Sequence, residues 1–200
     1  MHTRVPSSVF LVAAALSLAV ARTSAQDDPR KLFEAGKYQT VIEQTASDGS
    51  AGTQYLRGLT YLKLNQSGPA KDAFGRVQGG GGAWRSIGQS AVALTDRNLD
   101  AALEAARAAV SQNAGLAEGH YQLGLVLEAK GDSADAAEAF AKAAEANPQM
   151  AYAHYYAGMN FNKARRVDRM AVYFENFLRL APNAPERPAV ESIMRTVRGK

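Results

Sequence analysis

Residues 117–150 read AEGHYQLGLVLEAKGDSADAAEAFAKAAEANPQM, and residues 151–184 read AYAHYYAGMNFNKARRVDRMAVYFENFLRLAPNA. Laid over one another at a 34-residue offset, His120 falls on His154, Tyr121 on Tyr155, Gly124 on Gly158 and Leu127 on Phe161. In the second halves Phe140 falls on Phe174, Ala143 on Phe177 and Pro148 on Pro182. A fixed period of this length marks stacked units, each too small to bury its apolar face alone. Within one unit His120, Leu123 and Leu127 share a helical face, and Gly124 removes a side chain from the middle of it, so that a second helix can approach closely. Ala136, Phe140 and Ala143 make the opposing stripe, with Phe140 as a wedge between small residues. Gly131 ends the first helix, and Asp132 or Ser133 caps the second. Asn147 and Pro148 end the second helix, because proline cannot continue an interior turn and disfavours helical geometry before it.

A 34-residue period with Gly, then Ala, Phe, Ala and Pro at these offsets resembles the tetratricopeptide repeat. The resemblance covers most of residues 29–184 and implies an all-α, right-handed solenoid of antiparallel helix pairs. Residues 117–150 and 151–184 are the two strong units. Residues 51–82 form a fair one, with Gly58, Tyr61, Ala70, Phe74 and Val77 in its slots. Residues 83–116 are degenerate: Ala102 and Ala109 place the second helix, but the first has two registers. Without a gap Ser90 takes the small slot; shifted by two, Trp84, Ile87, Gly88 and Ala91 fit. Residues 26–50 read as a truncated first repeat turning at Gly36. Residues 185–200 carry Val190, Ile193, Met194 and Val197 at i, i+3, i+4 and i+7, an amphipathic capping helix of the kind a solenoid end requires. The glycines at 79–82 form the most pliant junction, a tolerant loop or a hinge.

Residues 1–25 stand apart. His2 and Arg4 precede an apolar run from Val9 to Ala21, which is followed by Thr23, Ser24 and Ala25, the order of a secretory signal with cleavage after Ala25 or Ala21. As a helix the run spans about 20 Å, short of the roughly 30 Å hydrocarbon core. This segment predicts an exported, periplasmic protein, and the absence of cysteine excludes N-terminal lipidation, disulfides and thiol chemistry. The whole chain has 23 basic and 19 acidic residues, net +4, and loss of Arg4 and Arg22 with the signal lowers this to +2. That balance points away from nucleic acid. Lys163 to Lys200 holds nine basic and four acidic residues, net +5, which allows a second reading in which the basic end docks on anionic lipid or polysaccharide.

Catalytic patterns are absent: there is no metalloprotease, nucleophile-elbow or phosphate-loop motif. His120 and His154 occupy equivalent slots of successive units, roughly 10 Å apart per layer, and read as packing residues rather than shared metal ligands. No cofactor or metal is expected, and the chain reads as a non-enzyme. The functional signal lies on the inner face of the first helices, where relatives of this fold commonly bind a peptide or partner helix. The resemblance carries that face onto Tyr55, Leu59 and Lys63; Trp84, Ile87 and Leu94; Tyr121, Leu125 and Glu128; and Tyr152, Tyr155, Met159, Asn162 and Lys163. Aromatic rings with polar tips suit a protein partner. The family's clamp for a terminal carboxylate is disfavoured, because Tyr121 and Tyr155 stand where its lysine would be. Self-association through a repeat face is a further possibility.

Overall fold

The structure, a computed structural model, describes residues 27–199; the expected signal segment, residues 1–25, lies outside the described residues. The chain runs through α1 (Pro29–Glu34), α2 (Tyr38–Gln44), α3 (Ala51–Lys63), α4 (Ser67–Val77), α5 (Gly82–Thr95), α6 (Leu99–Gln112), α7 (Ala117–Lys130), α8 (Ser133–Ala146), α9 (Ala151–Lys163), α10 (Val167–Leu180) and α11 (Arg187–Arg198). Four antiparallel pairs, α3 with α4, α5 with α6, α7 with α8 and α9 with α10, stack in order, preceded by the short hairpin α1–α2 and closed by α11. Among the described residues there is no strand, and no helix is long and apolar enough to cross a membrane.

The glycine slot sets the spacing within each pair. A Cβ added at Gly58, Gly124 or Gly158 would lie 2.2, 2.8 or 2.4 Å from the ring of Phe74, Phe140 or Phe174. Those rings are essentially inaccessible, at 1%, 0% and 0% exposure. The degenerate unit solves the same problem with smaller groups. Ala106 takes the wedge position, and Ser90 donates from Oγ to the Ala102 carbonyl at 2.8 Å. The ungapped register therefore describes the contact of α5 with α6. Gly88 serves the preceding unit instead, where an added Cβ would come 2.7 Å from the Phe74 carbonyl oxygen. The glycines at 79–82 form a tight turn with positive φ at Gly81 and Gly82, drawing α5 against α3.

Each pair turns on one left-handed residue: Asn65 (φ 58°), Arg97 (φ 60°), Gly131 (φ 88°) and Arg165 (φ 59°). After each, the next N–H reaches back along the chain in the Schellman pattern, Gln66 to Tyr61, Asn98 to Ala93, Asp132 to Leu127 and Arg166 to Phe161, at 2.8–3.0 Å. Gly36 (φ 74°) with Lys37 N–H on the Leu32 carbonyl makes α1–α2 a hairpin of the same kind. Asp132 takes the N-cap position of α8 but makes no side-chain cap hydrogen bond. At the far end α11 buries Val190 and Met194 against α10, with Ile193 and Val197 partly covered.

Replacing Arg97 or Arg165 by Gly relieves the left-handed strain and raises stability by about 0.5–1 kcal/mol, seen as a higher urea midpoint. Gly158→Ala does the opposite. Overpacking against Phe174 costs about 1–3 kcal/mol, more than the roughly 1 kcal/mol gained in helix propensity. Gly75→Ala, where an added Cβ meets nothing within 4 Å, keeps that gain.

Candidate partner-binding groove

The inner sides of α3, α5 and α7 are joined by a buried relay of hydrogen bonds. Tyr55 donates from its hydroxyl to Gln122 Oε1 at 2.8 Å, and Gln122 donates from Nε2 to Ser90 Oγ at 3.1 Å. Ser90 hands the relay on to the Ala102 carbonyl. All three side chains are buried, so α3 of the first full unit reaches α7 of the third directly. The wall is curved tightly enough for the chain's two ends to meet across it.

The N-terminal end fills one stretch of the concave face. Phe33 of α1 packs between Tyr38 and Tyr152, with ring centroids 5.6 and 5.1 Å away. Arg30 pairs with Glu118 of α7 at 3.1 Å. Glu34 accepts from the Ala151 N–H at the start of α9 at 3.2 Å, and this helix has no side-chain cap of its own. Burial pushes the Glu34 carboxyl above its usual range, against the lowering effect of Lys31. Between α1 and the wall only a small cavity remains, of about 40 Å³.

The C-terminal linker meets it. Pro185 packs on Gly36, and Glu186 accepts from Lys63 Nζ and from the Tyr152 hydroxyl, both at 2.7 Å. Lys63 also lies 4.7 Å from the Tyr152 ring centroid. Burial raises the Glu186 carboxyl, but the hydrogen bonds from Lys63 and Tyr152 outweigh it and hold the group below the usual carboxylate range. Burial first, and then neighbouring charges and hydroxyls, push the phenols of Tyr55, Tyr121 and Tyr152 upward, leaving them neutral.

These contacts correct the expected ladder of free tyrosines. Tyr55, Tyr121 and Tyr152 are 2%, 4% and 3% exposed, packed against Trp84, Phe140 and Phe33 respectively, so none stands free on the wall. Ile87 is core. Trp84 is half-buried, edge-on to Tyr55 and over Gly52, and Tyr155 is half-buried among Tyr152, Tyr156 and Phe177. Lys63 is engaged by Glu186, while Glu128 and Lys163 pair with each other at 2.6 Å on the rim near half-buried Asn162.

What stays open is an apolar channel of about 290 Å³ lined by Phe33, Leu59, Leu62, Lys63, Leu94, Tyr121, Leu125, Ala129 and Tyr156. Leu59, Leu94 and Leu125 belong to the expected inner face; Leu62, Ala129, Tyr156 and all of the α1 contacts do not. Leu62 could have been found from its repeat mate, Leu94. No periodic signal marks Arg30, Phe33, Glu34 or Glu186.

The two histidines tie down the starts of their helices. Nε2 of His120 contacts the Ala114 carbonyl at 2.8 Å, and that of His154 contacts the Pro148 carbonyl at 3.2 Å. Among the described residues no group of three or more His, Asp or Glu could hold a metal ion. Of the basic C-terminal side chains, Arg169 pairs with Glu138 of the preceding unit and Arg187 with Glu191.

Because the Glu186 carboxyl sits below its unfolded value, its contribution is present above the ordinary carboxylate pKa and is lost as pH falls through the folded one. Glu186→Gln therefore lowers stability by about 1 kcal/mol at neutral pH, a charge-assisted pair discounted for partial exposure. Urea melts of the two proteins should converge as pH falls below the carboxylate range.

Residues 117–150 match the family model described as tetratricopeptide repeat. Among solved structures, TTC0263, a thermophilic TPR protein in Thermus thermophilus, is 18% identical with a TM-score of 0.59, covering 83% of this chain and 95% of that one. YrrB, described as a TPR protein with an unusual peptide-binding site, is 21% identical with a TM-score of 0.52, covering 79% of this chain and 81% of that one. No curated protein matches. At these identities the solved structures share the fold, and the matched unit supplies the repeat itself. Residues 117–150 are therefore a tetratricopeptide repeat, and the chain as a whole has the fold of tetratricopeptide-repeat solenoids.

Proposed function

We propose that the protein is a non-catalytic scaffold of the cell envelope that holds a protein or peptide partner in the concave channel. The observation that carries this reading is the channel itself. Four successive inner-face leucines, Leu59, Leu62, Leu94 and Leu125, line it together with Tyr156, and Leu62 stands 39% exposed to solvent. Large apolar side chains grouped in a concavity with a polar rim are the usual form of a peptide-binding surface. The peptide-binding site ascribed to YrrB, on a shared fold, supports the same use. Export rests on the basic, apolar and small-residue order of residues 1–25.

The partner segment is aliphatic or aromatic, since the wall offers area rather than charge. Panning a phage-displayed random peptide library on the protein should enrich Leu-, Ile- and Phe-rich sequences. Their affinity should fall at least about tenfold in Leu59→Asp and Leu125→Asp, with helicity by circular dichroism unchanged. Raising salt from about 0.1 to about 1 M should leave binding largely intact. Peptides that bind both variants like the parent protein would remove the channel as the site.

A further inference from the structure

The channel and the seat of α1 meet at Phe33, which walls both cavities. Helix α1 is held by contacts of three kinds: an aromatic ring against Tyr152, a cation on Glu118, and a carboxylate on the Ala151 N–H. Every receiving group belongs to α7 or α9, between 88 and 119 residues away in the chain. The start of α3 is capped without help from α1: Ser50 Oγ accepts from the Thr53 N–H, and Asp48 accepts from the Ser50 N–H and the Thr53 hydroxyl. Departure of α1 therefore does not unwind the first full repeat. It would uncover Phe33's place against Tyr152 and lengthen the apolar channel by one aromatic pocket, with Glu118 on one side and the uncapped start of α9 on another.

We infer that α1 is a built-in stand-in for the partner. The seat and channel together take a segment of another protein in which an aromatic residue is preceded at three positions by a basic one, is followed directly by an acidic one, and is flanked by aliphatic residues. This segment binds by displacing α1. The inference rests on the channel being the partner site, and it names what that site selects. A second copy of the chain is the weaker occupant, because its α1 offers the seat nothing that the resident α1 lacks. The resident helix is also tethered, through a single short hairpin, at an effective concentration in the millimolar range. A winning segment must gain contacts α1 does not make, and the adjoining leucine-lined channel supplies them.

The chain's own α1 sequence provides the probe: fluorescein-labelled RKLFEA, residues 30–35, extended at one end or the other by the tripeptide LSL, which carries two leucines. Two latch variants of the full chain, Arg30→Ala and Arg30→Ala with Glu34→Gln, weaken α1 without touching the receiving groups. Both should bind this peptide at least about tenfold more tightly than the parent protein. In Glu118→Lys the preference should invert, the peptide EKLFEA with the same extension binding better than the RKLFEA form; a merely structural role for Glu118 would not produce that inversion. Equal affinity of parent and latch variants, or no inversion, overturns the inference. A leucine-rich control peptide separates the two failures. If the α1-derived peptides show no preference while the control binds parent and latch variants alike, the channel stands and the stand-in falls; if neither peptide binds any form, the channel reading falls too. A latch variant that dimerises in light scattering would assign the seat to a second copy and equally overturn the inference.

Discussion

The approach of two helices at a glycine is the constraint from which the molecule follows. At Gly58, Gly124 and Gly158 the missing side chain lets a phenylalanine ring sit where a Cβ would collide, and this fixes the distance and tilt within each pair. Repeating that geometry bends the stack. The bend brings α3 within hydrogen-bonding distance of α7, so that Tyr55, Gln122 and Ser90 form one buried relay across three units. A looser hairpin would place the Tyr55 hydroxyl out of reach of Gln122 and leave polar groups buried without partners, a cost of about 1–3 kcal/mol each. The aromatic wedge and the polar relay are thus two parts of one arrangement, the first setting the curvature and the second depending on it.

The degenerate unit shows that the constraint is on space and not on residue identity. With Ala106 in place of the phenylalanine, α5 and α6 would be left with a void, yet Ser90 bonded to the Ala102 carbonyl draws the helices together and Ala102, Ala106 and Ala109 are wholly buried. The same serine accepts from Gln122, so the smallest pair of the stack is also the one that anchors the relay. Placing the polar link there keeps Ser90 satisfied on both sides, the condition under which a buried hydroxyl is not a liability.

The hairpins were legible in the sequence because each unit repeats its own interior. Gly124 predicts Gly158, Phe140 predicts Phe174, and the wedge follows from either pair. The turns were only half legible. The left-handed position carries Gly131 in one unit but Asn65, Arg97 and Arg165 in the others, and arginine is not a residue that signals this conformation, so backbone geometry repeats where the side-chain signal does not. The groove was least legible. Periodicity places Tyr55, Tyr121 and Tyr152 on the inner faces of their helices, but it carries no information on what covers them. Tyr152 is covered by Phe33, held in place by Arg30 on Glu118 and Glu34 on the Ala151 N–H, non-repeating residues whose partners lie about a hundred positions away. Glu186, which ties the far end to Lys63 and Tyr152, has no repeat mate either.

A repeat array and its non-repeating ends therefore divide the work. The array builds a concave wall whose apolar area is a liability when bare, and the ends decide how much of it is bare. Helix α1 covers Tyr152 and leaves open the channel lined by Leu59, Leu62, Leu94 and Leu125. This has a thermodynamic consequence for any segment that uses both regions. Its apparent affinity is its intrinsic affinity reduced by the fraction of molecules in which α1 has left the wall, and a segment confined to the channel is exempt from that reduction. Selectivity then arises without any added contact: weak aliphatic binders see the whole population through the channel alone, whereas a segment that also reproduces the aromatic and charged contacts of α1 gains the covered half of the wall in return for the cost of opening it.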